Sequence, residues 1–133
     1  MRETKFRGLS KNPVRHWHFG YLVAIDIDTG RAFIRVMDPE NMPPRYTDFE
    51  VDPETVGQYT NRTSDKIDYY EGDYISGVFQ TKTEDIPVRG VIAFDEYMWG
   101  ISCELTGEGY SLNRISRIKL LGNIHEHPEL LKP

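Results

Sequence analysis

The chain has few cysteines, no long apolar run and no apolar stretch at its N-terminus, so it lacks the marks of disulfide-bonded, membrane-spanning and secreted proteins. Its 133 residues include one cysteine, Cys103, which excludes an intramolecular disulfide. No apolar run approaches the roughly 20 residues that a membrane-spanning helix needs. The first residues include Glu3 and no apolar stretch, so we expect no signal peptide. We therefore expect a cytoplasmic protein with no membrane partner.

The chain also lacks the short motifs that accompany well-known chemistry. It has no nucleophile elbow, no phosphate-binding glycine loop and no dinucleotide fingerprint. Cys103 alternates with Trp99, Ile101 and Leu105, so we expect it to face the core as a small hydrophobic residue. A nucleophilic thiol would need a nearby base and a lowered pKa. We predict no catalytic residue and no cofactor.

Two histidine pairs raise the alternative of a metal-dependent enzyme. His16 and His18 alternate near one end of the chain, and His125 and His127 alternate near the other. Alternate residues of a strand share one face, so each pair would present two imidazoles together. A closed zinc site needs about four ligands, and cysteine ligands are lacking here. We predict solvent-facing or stacked histidines and no metal site.

Two carboxylate pairs offer further alternatives. Asp26 and Asp28 have the spacing of a magnesium-binding pair, although Asp28 directly precedes Thr29-Gly30 and fits a turn. Glu71 and Asp73 would suit a hydrolase only if burial raised the pKa of one of them. A turn at the entrance of a strand gives no reason for such a shift. We expect both pairs to be structural.

Charge is distributed unevenly along the chain. Residues 1–18 carry five basic residues against one acid, whereas the remainder carries 11 basic and 20 acidic residues. Such a basic arm either docks on an acidic protein surface or contacts nucleic acid phosphates, with an aromatic residue stacking on bases. The net charge of −5 favours the protein contact. The candidate arm residues are Lys5, Arg7, Lys11, Arg15 and Trp17.

The first half of the chain predicts a β-hairpin. Branched and aromatic residues at 21–27 and 31–36 flank Asp28-Thr29-Gly30, and Gly30 suits a left-handed turn position. Residues 21–27 are apolar on both faces, so we expect burial on two sides. Residues 38–44 then break the pattern, because consecutive prolines cannot donate to a sheet. We predict an N-terminal β lobe at residues 1–56.

The second half predicts further strands at residues 74–79, 88–94, 98–105 and 115–124. Short strands separated by turn residues are typical of a small barrel or sandwich. At the end of the chain, Pro128 and Glu129 suit the start of a short helical turn. Such a turn is unstable alone, so Leu130 and Leu131 are expected to dock on this unit or on another chain.

Three segments, in this order, resemble the YopX family of small proteins encoded by bacteriophages and prophages. They are VDPETVGQYT at residues 51–60, YEGD at 70–73 and GNIHEHPELL at 122–131, and Lys5-Phe-Arg7 is similar to the family's opening KFR. Where the family usually continues with Gly-Leu after its Gln-Tyr-Thr, this chain has Asn61 and Arg62. The missing glycine predicts a different loop path.

The resemblance implies a fold more than an activity. For the C-terminal part of the chain it implies an SH3-like small barrel, which we place over residues 57–133. Together with the hairpin and the tail turn that the residues themselves indicate, this predicts a mostly β protein with an N-terminal β-hairpin lobe, the barrel and a short helical turn at the C-terminus. We expect a non-catalytic protein-binding or assembly module that forms a homo-oligomer or binds a host or phage protein in the bacterial cytoplasm. A nucleic-acid-binding accessory protein is the alternative. The candidate motif residues are Gln58, Tyr59, Thr60, Glu71 and Asp73.

Overall fold

A computed structural model describes residues 5–11, 15–26, 28–95, 98–103 and 105–127 of the chain. Within these residues the protein is mostly β, with antiparallel strands and two short 3-10 helices. The predicted mostly β class is confirmed. The helical turn predicted near Pro128 lies outside the described residues.

The chain divides into two compact units, Met1–Tyr59 and Thr60–Pro133, whereas the sequence predicts a boundary after residue 56. The elements that begin before this division are β1 (Phe6–Leu9), β2 (Trp17–Asp26), β3 (Arg31–Asp38), β4 (Arg45–Val51), the 3-10 helix Pro53–Thr55 and β5 (Gly57–Ser64). The elements that follow it are β6 (Ile67–Tyr70), β7 (Asp73–Gln80), β8 (Asp85–Asp95), β9 (Met98–Ser102), β10 (Gly109–Ser111), the 3-10 helix Leu112–Arg114 and β11 (Ile115–Asn123).

The first unit contains the predicted hairpin, formed by β2 and β3. Gly30 has φ +69° and completes the turn, as expected. The Asp26 carboxylate accepts hydrogen bonds from the backbone N–H groups of Asp28 (2.9 Å) and Thr29 (3.3 Å). Hydrogen bonds from Thr29 and Asp28 lower the pKa of Asp26 below its ordinary value. This carboxylate therefore stabilises the turn.

The proline-rich segment lies inside the first unit. It connects β3 to β4, and its Met42–Pro43 peptide bond is cis. The hydrogen-bonded strand order here is β4-β3-β2-β1-β5. The sequence did not predict β4, although every residue of β4 pairs with β3, from Arg45 opposite Asp38 to Val51 opposite Ala32.

One face of this sheet carries the core of the first unit. Ala32, Ile34 and Val51 are fully buried, and Leu22 packs against them. The prediction that residues 21–27 are buried on both faces is wrong, because Tyr21, Val23 and Ile25 are exposed. Only the side of β2 that pairs Leu22 with Ile34 faces the core.

The second unit contains an antiparallel sheet with the order β10-β9-β8-β7-β11. The predicted strands at 74–79, 88–94, 98–105 and 115–124 correspond to β7, β8, β9 and β11. Cys103 is buried, as expected, but β9 ends at Ser102 and Leu105 is exposed. The alternation predicted from Trp99 to Leu105 therefore fails at its end, because a turn follows the strand.

Apolar residues from these strands form the core of the second unit. The cluster contains Tyr69, Ile75, Val88, Ile92, Ile101, Cys103, Tyr110, Leu112, Ile115 and Ile118. Arg62 fixes the 3-10 helix beside it, because its guanidinium donates to the carbonyl oxygens of Leu112 (2.8 Å) and Ile115 (3.0 Å). Burying these residues supplies the main driving force for folding.

Among the described residues, positive φ angles occur at four residues other than glycine: Asn61, Asp65, Lys66 and Arg117. Asn61 has φ +65°, so it adopts the left-handed conformation that a glycine would favour. Asn61 thus adopts a left-handed conformation at the position where the missing glycine predicted a different loop path. Asp65 and Lys66 join β5 to β6 with φ +51° and +66°, the pattern of a two-residue hairpin turn.

Candidate functional site

The predicted motif residues Gln58, Tyr59 and Thr60 lie on β5. The N–H of Tyr59 donates to the carbonyl oxygen of Lys5 (2.7 Å), and the Lys5 ammonium lies 4.7 Å from the centre of the Tyr59 ring. Tyr59 is buried. The hydroxyl of Thr60 donates to the carbonyl oxygen of Tyr69 (2.8 Å). Tyr59 therefore contributes to strand pairing and packing in the unit Met1–Tyr59. Thr60 contributes a hydrogen bond within the unit Thr60–Pro133.

The candidate residues Glu71 and Asp73 surround a tight turn. Gly72 has φ +93° and makes the expected bend into β7. Asp73 is buried, and its carboxylate accepts a hydrogen bond from the N–H of Tyr70 (2.8 Å). Glu71 is half-buried. The carboxylate of Asp73 therefore binds the backbone of its own turn, and this contact stabilises the turn.

The tail motif begins with a side-chain clamp at Asn123. Its side-chain oxygen accepts from the N–H groups of His125 (3.0 Å) and Glu126 (2.9 Å), and its own N–H donates to Nδ1 of His127 (3.2 Å). This arrangement gives His127 a local structural contact. The predicted tail-docking residues, Leu130 and Leu131, lie outside the described residues.

His18, from the histidine pair near the N-terminus, lies on β2 beside an aromatic residue of β4. The ring of His18 stacks on Phe49 with 4.1 Å between the ring centres. Burial, and secondarily the neighbouring His16, lower the pKa of His18. Among residues 5–11, 15–26, 28–95, 98–103 and 105–127, no group of three or more histidine, cysteine or acidic side chains is placed to hold a metal ion.

The basic arm is partly built into the first sheet. Arg7 is buried on β1, and its guanidinium carbon lies 4.3 Å from the centre of the Trp17 ring. Lys5 contacts Tyr59, as described above. Lys11 and Arg15 are exposed and line a small depression with Ser10 and Asp52. Arg7 and Trp17, which a nucleic-acid-binding arm would need at its surface, instead contact each other.

An uncovered surface lies on the side of β2, β3 and β4 opposite the core. We call it the outer face and define it by Phe19, Tyr21, Met37 and Tyr46. Their exposed fractions are 47%, 58%, 43% and 58%. Tyr21 lies opposite Arg35, and Met37 lies opposite Tyr46. Since residues two apart along a strand share a face, the four side chains point to the same side.

Two arginine–carboxylate pairs cross the outer face. Arg35 is held by Asp48 through two hydrogen bonds of 2.8 and 3.1 Å. Arg31 binds Glu50 through two hydrogen bonds of 3.2 Å. In each pair the hydrogen bonds lower the pKa of the carboxyl group and raise that of the arginine. The outer face thus combines apolar side chains with neutralised charges.

A cavity of about 350 Å³ lies at one end of the outer face. Phe19, Tyr21, Arg35, Met37 and Lys5 contribute to its lining. The cavity offers apolar walls with a cation at its rim, which suits insertion of a side chain from a partner. This is the place where one of the sequence-predicted arm residues, Lys5, meets the outer face.

Sequence reasoning did not select Phe19, Met37 or Tyr46. The residues of Arg45–Val51 do carry a signal for a strand. Tyr46, Asp48 and Glu50 alternate along it and therefore share one side. This signal was obscured by the two preceding prolines, which suggested an extended coil instead of a strand.

No family model, curated protein sequence or solved structure matches the chain. Among the described residues, no helix is long and apolar enough to cross a membrane. The site therefore has to be interpreted from its own geometry.

Proposed function

We propose that the protein is a YopX-like protein of a phage or prophage, and that it binds another protein without catalysing a reaction. The observation that carries the proposal is the outer face, where Phe19, Tyr21, Met37 and Tyr46 are exposed together. Tyrosine, phenylalanine, methionine and arginine are enriched at protein interfaces. Contiguous exposed apolar side chains with polar neighbours are typical of protein-binding surfaces.

The apolar pattern of β2 supports the same proposal. A strand that is apolar on both faces is typical of burial on both sides. Leu22 is directed to the core, whereas Tyr21 is exposed on the other side. A protein partner would cover that second side and remove its apolar area from water, which is favourable.

The charges on the outer face favour a protein over a nucleic acid. Binding to phosphates depends on cations that are available to replace counterions. Arg31 and Arg35 are already held by Glu50 and Asp48. A neutral surface with aromatic side chains and forked arginine pairs is better matched to a protein surface, on which tyrosine and arginine often contribute most of the binding energy.

We further propose that the partner is a second copy of the chain or a host or phage protein, and that binding takes place in the bacterial cytoplasm. Self-association is tested by light scattering of the purified protein over a range of concentrations. A mass that rises from monomer to a defined oligomer at micromolar concentration supports self-association. A monomer throughout leaves a different protein as the only partner consistent with the proposal.

Affinity capture from the bacterial host, with and without nuclease, tests the class of partner. Recovery of the same protein in both samples supports the proposed function. Recovery of nucleic acid, or loss of every partner after nuclease treatment, would instead favour an accessory protein that acts through Lys11 and Arg15. Either result is read by mass spectrometry and by absorbance at the wavelength of nucleic acid bases.

A further inference from the structure

A second concave surface lies in the unit Thr60–Pro133 and shares no residue with the outer face. It encloses about 800 Å³, which is within the range of ligand-binding clefts. We call it the β7 groove. Its lining includes a basic group, Arg89, Arg117 and Lys119, an aliphatic group, Ile67, Leu105 and Leu120, and one acidic residue, Asp65.

Strand register places two of the cations on either side of a hydroxyl. Lys119 on β11 lies opposite Ser76 on β7, and Ser76 lies opposite Arg89 on β8. Residues directly opposite each other project from the same face of a sheet. Two strand spacings separate Lys119 from Arg89, or roughly 10 Å. A carboxylate above Ser76 would lie within reach of both cations and of the hydroxyl.

The third cation, Arg117, lies at an irregularity in β11. The register shifts between Ser116 and Lys119, and Arg117 within this bulge has φ +54°. A left-handed backbone is unfavourable at a residue other than glycine, asparagine or aspartate. Bulges commonly redirect a side chain at binding sites. Here the bulge accompanies an exposed arginine that lines the groove.

We propose that the β7 groove binds an extended peptide segment that alternates acidic and aliphatic side chains. The cations match the carboxylates, and Ile67, Leu105 and Leu120, all exposed, match the aliphatic side chains. Three basic residues line the groove against one acid, Asp65, although the unit as a whole has eight basic and twelve acidic residues. A single-stranded nucleic acid fits less well, because it uses aromatic platforms and the one aromatic residue of the groove, Tyr69, is buried.

The test is fluorescence anisotropy with a labelled peptide of alternating leucine and glutamate and the intact chain. Arg117→Gly removes one cation, and glycine accepts φ +54°, so the fold is kept. Loss of this charged contact should weaken binding about three- to tenfold. The matched control is Lys66→Gly, which also removes a cation at a positive φ (+66°) from a residue that does not line the groove. Lys66 is flanked by the groove-lining residues Asp65 and Ile67, so its loss should act only at a distance and, at physiological salt, should weaken binding less than Arg117→Gly does, by less than about twofold.

Three results would overturn the proposal. The first is no binding of the leucine–glutamate peptide at millimolar concentration. The second is equal weakening by Arg117→Gly and Lys66→Gly, which would show that only the overall charge matters. The third is full competition by a single-stranded oligonucleotide, or equal binding of a leucine–lysine peptide. Because the groove shares no residue with the outer face, failure here leaves the proposed function untouched.

Discussion

Arg35 and Asp48 lie directly opposite each other on β3 and β4 and are joined by two hydrogen bonds of 2.8 and 3.1 Å. The pair lies among the exposed apolar side chains of the outer face, next to Tyr21. The two opposite charges neutralise each other, and the paired hydrogen bonds fix the orientation of the guanidinium and the carboxylate. A surface of this kind is matched better to a protein than to phosphates.

The first prediction concerns the titration of Asp48. Hydrogen bonding to Arg35 holds the pKa of Asp48 below its ordinary value, so Arg35→Gln should raise that pKa toward the value of a free aspartate. The pair stabilises the fold above the unfolded-state pKa of Asp48, and this contribution is lost as pH falls through the lowered folded-state pKa. Carboxyl carbon shifts measured by NMR against pH check the prediction.

Arg45→Gln is the control for this titration. Arg45 lies on the same strand as Asp48, is exposed and pairs in register with Asp38. Removing its charge should leave the pKa of Asp48 almost unchanged. The same Asp48 pKa in wild type and in Arg35→Gln would show that the ion pair does not form in solution.

The second prediction concerns Asp73, the buried carboxylate of the turn before β7. Asp73→Ala leaves the N–H of Tyr70 without its acceptor, which should cost about 2–3 kcal/mol in free energy of unfolding. Asp73→Asn should cost less, because its side-chain oxygen still accepts. The control is Asp85→Ala, an exposed aspartate, expected to change stability by less than about 0.5 kcal/mol. Urea unfolding measures all three, and equal losses from Asp73→Ala and Asp85→Ala would refute the structural role.

The third prediction concerns Gly20, which lies between Phe19 and Tyr21 on β2. A Cβ atom at this position would collide with the carbonyl oxygen of Arg35. Gly20→Ala should therefore lower the free energy of unfolding by about 2–3 kcal/mol. Gly30→Ala is the comparison, since its Cβ would meet nothing within 4 Å, and only the left-handed backbone costs about 1 kcal/mol. If urea unfolding shows Gly20→Ala to be the milder change, β2 and β3 do not approach as described.

The sequence predicted the β class and the hairpin of β2 and β3 because their signals are local. Gly30 marks the turn, and alternating side chains mark the strands on either side of it. The burial of Cys103 followed from the same alternation. These features depend on a few consecutive residues, so a single sequence is sufficient to find them.

The parts that the sequence did not predict depend on pairing between distant residues. Nothing local shows that Tyr46 lies opposite Met37, or that Asp48 neutralises Arg35. The turn from β5 to β6 was also missed, because Asp65 and Lys66 adopt positive φ angles without a glycine to mark them. The outer face is a product of strand register, and register appears only once the strands are paired.

The most direct test of the central claim is capture of partners from nuclease-treated host lysate by wild type and by the double variant Tyr21→Ser/Tyr46→Ser. Both tyrosines are exposed, so the variant should fold normally, and losing two aromatic contacts should reduce recovery of a specific protein partner roughly tenfold or more. The control Phe94→Ser changes an aromatic residue of similar exposure (53%) in the other unit and should recover that partner as wild type does. Undiminished recovery by the double variant, or equal loss with Phe94→Ser, would contradict a binding function for the outer face.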